Sequence, residues 1–120
     1  MVKKTLVLGV SLNSHRYSNM AIRRLASKKV EVIAIGLKQG EINGINIQNK
    51  LTLFKDVHTV TLYLNQKRQK EYYEYIISLK PKRVIFNPGT ENSEFYKLLD
   101  KESIVYMEAC TLVLLSTNQY

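Results

Sequence analysis

The sequence predicts an α/β domain with a mostly parallel sheet and helices on both of its faces. Apolar, strand-like segments alternate with helix-like segments along the whole chain, as in successive β-α-β units. The first segment, KTLVLGV from Lys4, is a near-continuous apolar run, which is typical of a strand buried on both faces. A length of 120 residues allows one domain with a substantial core. We therefore predict a single domain over residues 1–120.

In the first half of the chain, each element has its own signal. The segment SNMAIRRLASKK predicts a helix with an apolar and a basic face, with Ser18 as its N-cap. VEVIAIGL predicts the second strand. Asn43-Gly44, between isoleucines, predicts a small hairpin. LTLFKDV, after it, predicts a short helical turn.

The second half continues the alternation. HTVTLYL predicts a strand, and Asn65 can cap the helix QKRQKEYYEYIISLK, which Pro81 ends. RVIFN predicts a buried strand closed by NPGT, where Pro88 and Gly89 suit the centre of a type II turn. SEFYKLLDK predicts a helix and IVYMEA the last strand, and the tail CTLVLLSTNQY is expected to pack back on the domain. The prediction is a three-layer sandwich with a sheet of five to six strands.

Composition restricts the class of protein. An apolar content of 45% and a charged content of 23% are ordinary for a soluble globular domain. Cys110 is the single cysteine, which excludes an internal disulfide framework and fits a reducing cytoplasm, the compartment we expect. No apolar stretch approaches the roughly 18 residues of a membrane span, so no membrane partner is expected. Lys3 and Lys4 before TLVLGVSL imitate a signal peptide, but the run is short and no cleavage site follows.

The basic balance of the chain favours a partner with negative charge. The net charge is +8 and the pI is near 9.6. The basic residues are spread over three separate segments, and aromatic residues do not interleave with them as a base-stacking surface requires. Solvated helix faces explain most of them, and nucleic-acid binding ranks last among the functions considered.

Polar residues follow the predicted strands at the edge where ligands of open α/β sheets bind. Parallel strands with right-handed crossovers bring their carboxyl ends to one edge. The residues expected there are Gly9, Val10, Ser11, Arg16, Ser18, Asn19, Gly36, Lys38, Leu64, Asn65, Asn87, Pro88, Gly89, Thr90, Ala109 and Cys110. Arg16 and Lys38 supply two positive charges, and the start of the first helix supplies backbone amides. The set predicts an anionic, phosphorylated ligand.

The first loop departs from the dinucleotide fingerprint G-x-G-x-x-G. Only Gly9 of its three glycines is present, and Ser11 stands at the place of the second. Lys38 follows the second strand where an acid would bind the ribose of NAD. A standard NAD site is therefore not expected.

The segment GVSLNSHRYSNMA resembles the G-x-S-x-x-x-x-R-x-S-N loop of small single-domain CoA-binding proteins. These share the Rossmann-like domain that opens the α subunit of succinyl-CoA synthetase. TVTLYLN, RVIFNPGTEN and VYMEACTLVLL are similar to later strand ends of that family, so the resemblance covers roughly residues 4–117. It implies a Rossmann-like fold and a site for coenzyme A or an acyl-CoA.

The resemblance also implies positions for the parts of coenzyme A. The loop Gly9–Ser11, with Arg16 and Ser18 near it, would lie under the nucleotide and diphosphate. Lys38 would reach a phosphate of the ADP part, and Leu64 and Asn65 would flank the nucleotide and diphosphate. Asn87 to Thr90 and Cys110 would border the pantetheine arm. The larger relatives use a phosphorylated histidine far beyond this length, so the resemblance implies binding rather than the ligase reaction.

Several alternatives stay open from the sequence. The main prediction is non-catalytic binding, since no paired carboxylates, metal-ligand spacing or G-x-S-x-G elbow are present. An enzyme acting on a CoA thioester or another phosphorylated metabolite is the alternative. Arg16 could instead pair with Glu91 or Glu94, and Asn65 could be only a helix cap. Cys110 is interpreted as a small buried hydrophobe rather than a redox partner of the CoA thiol. The tyrosines near residue 73 leave a homodimer or a partner protein open.

Overall fold

The computed structural model describes residues 3–120, which form a seven-stranded sheet with helices on both faces. The strands are β1 (Thr5–Leu8), β2 (Val32–Ile35), β3 (Gly40–Ile42), β4 (Ile45–Gln48), β5 (Thr59–Leu62), β6 (Arg83–Phe86) and β7 (Val105–Glu108). Their order across the sheet is β3-β4-β2-β1-β5-β6-β7. Only β3 and β4 pair antiparallel, and the other neighbouring pairs are parallel. The predicted fold class is confirmed.

The helices cover the two faces of the sheet as separate layers. They are α1 (Tyr17–Ser27), α2 (Gln66–Gln69), a 3-10 turn (Lys70–Tyr72), α3 (Tyr73–Leu79), α4 (Ser93–Lys101) and α5 (Thr111–Ser116). Alternate residues of each strand point to opposite faces, so Leu6 and Leu8 pack in one cluster with α3 and α4. Val7 packs in the other cluster with α1 and α5. None of the described helices is long and apolar enough to cross a membrane.

The sheet is wider than the sequence predicts because the hairpin belongs to it. The turn at Asn43-Gly44 forms as expected, and β4 then pairs in parallel with β2, placing Ala34 beside Ile47. Ile42 and Ile47 are buried in the same cluster as α1. Burial of these isoleucine side chains stabilises the hairpin within the sheet, where it forms two additional strands.

Two local predictions are wrong and one is confirmed. LTLFKDV forms no helix, since Phe54 packs against the core while the carbonyl of Thr52 accepts a bond from the Tyr75 hydroxyl, at 2.7 Å. The long helix after β5 is broken by the 3-10 turn directly after Gln69. The tail does pack back on the domain, as α5, with Leu115 buried and Tyr120 against the same cluster.

Candidate functional site

A cleft of about 640 Å³ lies at the carboxyl edge of the central strands. It is formed by the loops that follow β1, β2, β5 and β6, as the rule for open α/β sheets predicts. The sequence-predicted residues that line it are Gly9, Val10, Ser11, Arg16, Ser18, Gly36, Lys38, Leu64, Asn65, Pro88, Gly89 and Thr90. Its volume lies within the range of small-molecule sites.

The loop after β1 is held by its own side chains. The backbone amide of Ser11 donates to Ser18 Oγ at 3.1 Å, and Ser11 Oγ accepts from the Asn13 amide at 3.1 Å. Helix α1 begins at this loop with Arg16 as its N-cap residue, so the prediction that Ser18 caps the helix is wrong. Ser18 lies in the first turn, where its hydroxyl is used to hold Ser11. The positive end of the helix dipole therefore faces the cleft.

Gly9 permits a close approach between the loops after β1 and β5. Its φ is +94°, a region that residues with a side chain rarely adopt. A Cβ atom there would lie 2.9 Å from Leu64 Cδ2 and 3.0 Å from the backbone carbonyl carbon of Tyr63. The Leu64 side chain and the Tyr63 backbone therefore pack directly against Gly9.

Three positive side chains surround the cleft. Arg16, Lys38 and Arg68 are exposed, lie on three different loops or helices, and line the cavity without any lining carboxylate. The ion pairs among residues 3–120 are Lys4–Glu31 and Lys70–Glu94, which leaves these three cations unpaired. The uncompensated charge favours an anionic ligand.

The alternative interpretation of Arg16 as a surface salt bridge is therefore not supported. Glu94 lies 4.0 Å from Lys70 Nζ and accepts a bond from the Tyr73 hydroxyl at 3.0 Å. Glu91 Oε1 accepts from the backbone amide of Gly89 at 2.9 Å. Both carboxylates are therefore engaged by groups other than Arg16.

The turn after β6 closes the opposite side of the cleft. The Thr90 amide donates to the Asn87 carbonyl at 2.9 Å, and Gly89 has a φ of +93°, as the predicted type II turn requires. Asn65 caps α2 through a bond from the Arg68 amide at 3.0 Å and also lines the cleft. The cap prediction for Asn65 is confirmed, and its role in binding stays a prediction.

Four predicted residues of this edge, Asn19, Asn87, Ala109 and Cys110, lie behind the cleft or outside its lining. Asn87 is 3% exposed, and its amide donates to Thr61 Oγ1 and the Leu62 carbonyl while accepting from the Thr111 amide. Asn19 is also 3% exposed and donates to the Ser11 carbonyl at 3.0 Å. Cys110 is half-buried at the start of α5. The two asparagines support the loops from below, because their polar groups are already used inside the protein.

The cleft also contains residues that the sequence did not single out. These are Leu12, Asn13, Tyr17, Ile35, Leu37, Tyr63, Arg68 and Tyr72. Arg68 and Tyr72 are four residues apart on the segment that Asn65 caps. The sequence signal that could have identified them is the helix start directly after the strand β5. Burial raises the pKa of Tyr63 to about 12, and burial also raises the pKa of Tyr72. Both phenols are therefore protonated at neutral pH.

The described residues contain no metal-ligand cluster. No group of three His, Cys, Asp or Glu side chains within residues 3–120 could hold a metal ion. The lining of the cleft contains no histidine, cysteine or acid in that part of the chain. His15 borders a separate basic groove with Arg23 and Arg24 of α1 and Leu112 of α5.

Known structures share the whole architecture. An uncharacterized protein of known crystal structure is 47% identical over 100% of this chain and 99% of that chain, with a TM-score of 0.96. A conserved hypothetical protein from Pyrococcus furiosus is 26% identical over 92% of this chain and 97% of that one, with a TM-score of 0.81. A protein from Thermus thermophilus, 19% identical over 99% and 91% of the two chains, has a TM-score of 0.85 and shows the shared fold.

Sequence comparison identifies the family. A search of curated proteins found no match. The chain does match the family described as CoA binding domain over residues 3–116, a range that includes all the loops of the cleft. The resemblance inferred from the first loop and the later strand ends is confirmed by this match, and the chain belongs to the CoA binding domain family.

Proposed function

We propose that the protein binds coenzyme A or an acyl-CoA in the cleft and performs no chemistry on it. The observation that carries the proposal is the ring of unpaired cations Arg16, Lys38 and Arg68 around a cleft whose described lining has no carboxylate. Coenzyme A has a diphosphate and a ribose 3′-phosphate, so it presents anionic groups at separated points. Cations on separate loops are suited to such a ligand.

The local geometry fits the parts of coenzyme A. The diphosphate would lie at the start of α1, where Gly9 has no side chain to block approach to the loop backbone. Lys38, after β2, would bind a phosphate of the ADP part. The turn at Pro88–Thr90, across the cleft, would border the pantetheine arm. Membership of the CoA binding domain family supports the ligand class.

The absence of chemistry is part of the proposal. General acid–base or nucleophilic catalysis needs a titratable or nucleophilic side chain within reach of the ligand. The titratable or nucleophilic side chains of the described lining are those of Ser11, Tyr17, Ser18, Lys38, Tyr63, Tyr72 and Thr90. Burial raises the pKa values of Tyr63 and Tyr72, and the proposal uses Lys38 to bind a phosphate. Ser18 Oγ and Thr90 Oγ1 already make bonds within the protein. A panel of acyl-CoAs that shows binding without turnover would agree with this, and turnover of any would contradict it.

The first experiment is calorimetric titration with CoA, ADP and NAD at moderate salt. The proposal expects saturable binding of CoA, weaker binding of ADP and none of NAD. A folded, ligand-free protein that gives no heat with CoA would overturn it.

Two matched variants locate the ligand. Arg16→Ala is expected to weaken CoA binding about tenfold, because a charge-assisted bond to a phosphate is lost. Arg24 lines the separate groove beside Leu112 and not the cleft, so Arg24→Ala should leave binding unchanged. Equal affinities of the two variants would show that the diphosphate does not lie at the start of α1.

A further inference from the structure

Gln69 is a fully buried polar side chain at a break in the helical segment after β5. Its exposure is 0%, although glutamine is rarely buried completely. It is the last residue of α2, and the backbone continues from it as a 3-10 turn. A buried amide is stable only when its hydrogen bonds are made, so the partners of Gln69 explain its position.

The amide of Gln69 joins the two loops on one side of the cleft. Its Nε2 donates to the carbonyl of Leu64, after β5, and to the carbonyl of Thr90, after β6, each at 2.8 Å. Both of these residues line the cleft, whereas Gln69 does not. The Gln69 side chain therefore bridges the two loops from beneath, next to an exposed bridge from Gln66 Nε2 to the carbonyl of Glu91.

Asn92 fixes the orientation of that amide. Asn92 Nδ2 donates to Gln69 Oε1 at 2.9 Å, and Asn92 Oδ1 accepts from the Phe95 amide as the cap of α4. With a donor at its oxygen and two carbonyls at its nitrogen, Gln69 has one satisfied orientation. The network thus ties α2, α4 and both loops together through direct hydrogen bonds.

The Gln69 hydrogen bonds also influence the loop after β1, because Leu64 contacts that loop. The Leu64 side chain packs at the backbone of Gly9, where a Cβ would meet it at 2.9 Å. A shift of Leu64 would change this contact, and a shift of Thr90 would change the opposite wall. Since interior packing transmits small displacements, the spacing of the cleft depends on the Gln69 bonds.

We propose that Gln69 is the positioning residue that sets the width of the cleft between Leu64 and Thr90, and so selects CoA over ADP. This inference rests on the proposed function, in which ADP lies on the β1 and β2 side and pantetheine lies against the turn after β6. CoA then contacts both loops that Gln69 joins, whereas ADP does not reach Thr90. Preorganised loops increase affinity because less ordering is needed on binding.

The test compares Gln69→Met with wild-type protein, because methionine keeps the volume and removes the hydrogen bonds. CoA affinity is expected to fall about tenfold and ADP affinity by less than about threefold. Ile76→Val, a core substitution in α3 away from the cleft lining, is the control for general loss of stability. Its CoA-to-ADP affinity ratio should equal that of the wild type. Asn92→Ser, which keeps a capping oxygen but loses the donor to Gln69, should shift the ratio in the same direction as Gln69→Met.

The outcomes separate this inference from the function on which it rests. If the wild-type protein binds no CoA, the proposed function fails and this inference fails with it. If the wild type binds CoA and folded Gln69→Met keeps the wild-type affinity ratio, only the role of Gln69 is overturned. An equal loss of CoA and ADP affinity also overturns it, because a purely structural role would weaken both. If Gln69→Met does not fold, the same criteria apply to Asn92→Ser.

Discussion

On the β1 and β2 side of the cleft, Arg16 and Lys38 are exposed and have no ion-pair partner among the described residues. On the β5 and β6 side, the buried amides of Gln69 and Asn87 use their hydrogen-bonding groups inside the protein. One side thus offers charge to a ligand, and the other offers a fixed shape. Polar residues at the same sheet edge consequently have two different roles, which substitution can separate by measuring affinity and stability together.

The largest expected effect is at Gly9, where the two sides meet. Gly9→Ala places a Cβ 2.9 Å from Leu64 Cδ2 at a φ of +94°, so strain and overlap add. We expect a loss of about 3 kcal/mol in the free energy of unfolding, with loss of CoA binding. Chemical denaturation measures the free energy of unfolding, and calorimetric titration measures the CoA affinity.

Gly44→Ala is the matched control for that substitution. Gly44 has a φ of +81° in the β3–β4 turn, and nothing lies within 4 Å of its Cβ position. It should lose only about 1 kcal/mol, from backbone strain alone, and keep its CoA affinity. Equal losses of stability at Gly9 and Gly44 would mean that the approach to Leu64 is not a tight constraint.

The next largest effect is expected at Asn87, on the fixed side. Asn87→Ala removes the acceptor for the Thr111 amide and the donor to Thr61 Oγ1 inside the protein. The expected cost is about 2 kcal/mol of unfolding free energy, because buried polar groups lose their partners. Arg16→Ala should by contrast leave the unfolding free energy unchanged while weakening CoA binding. A stable Asn87→Ala protein that had lost CoA affinity would instead place Asn87 in direct contact with the ligand.

The sequence predicted the location of the cleft better than the direction of individual side chains. Strand ends are identified by buried apolar runs, and the right-handed crossover rule brings them together, so Ser11, Lys38 and Thr90 were predicted at one edge. Whether an asparagine there faces a ligand or the interior depends on distant partners. For Asn87 the partners are Thr61 and Thr111, which local sequence cannot reveal.

The mispredicted elements have the same explanation: tertiary contacts decide the structure of these segments. The hairpin joins the sheet because β4 pairs with β2, which places Ile47 beside Ala34. This contact is set by tertiary packing. The segment after it lacks a helix because Phe54 is held by the core. Most basic residues were interpreted as solvated helix faces, whereas Arg68, in the short α2, lines the cleft. Local periodicity contains no information on these contacts.

Arg68 is an exception to this division of roles, because it is a positive charge, unpaired among the described residues, on the β5 and β6 side of the cleft. Arg68→Ala is expected to weaken CoA binding threefold to tenfold, with a smaller difference at high salt since the side chain is exposed. Lys67→Ala, next to it and outside the lining, is the control and should have little effect. Titration at two salt concentrations measures both variants. Identical salt dependence for the two would show that the ligand does not contact Arg68.

The last effect is confined to alkaline pH and comes from Tyr63, which lies on the cleft wall. Burial raises its pKa from 10.0 to about 12, so the folded protein favours the protonated phenol. Its contribution to stability is therefore fully present below about pH 10 and is lost as the pH rises towards 12. Unfolding free energies measured between pH 8 and pH 12 should decrease less steeply for Tyr63→Phe than for the wild type. The CoA affinity of the wild type should show no change from the titration of this residue between pH 6 and pH 9. Parallel alkaline profiles for the two proteins would mean that Tyr63 titrates in the folded state as it does in the unfolded chain, and the cleft wall at that point would be open to water.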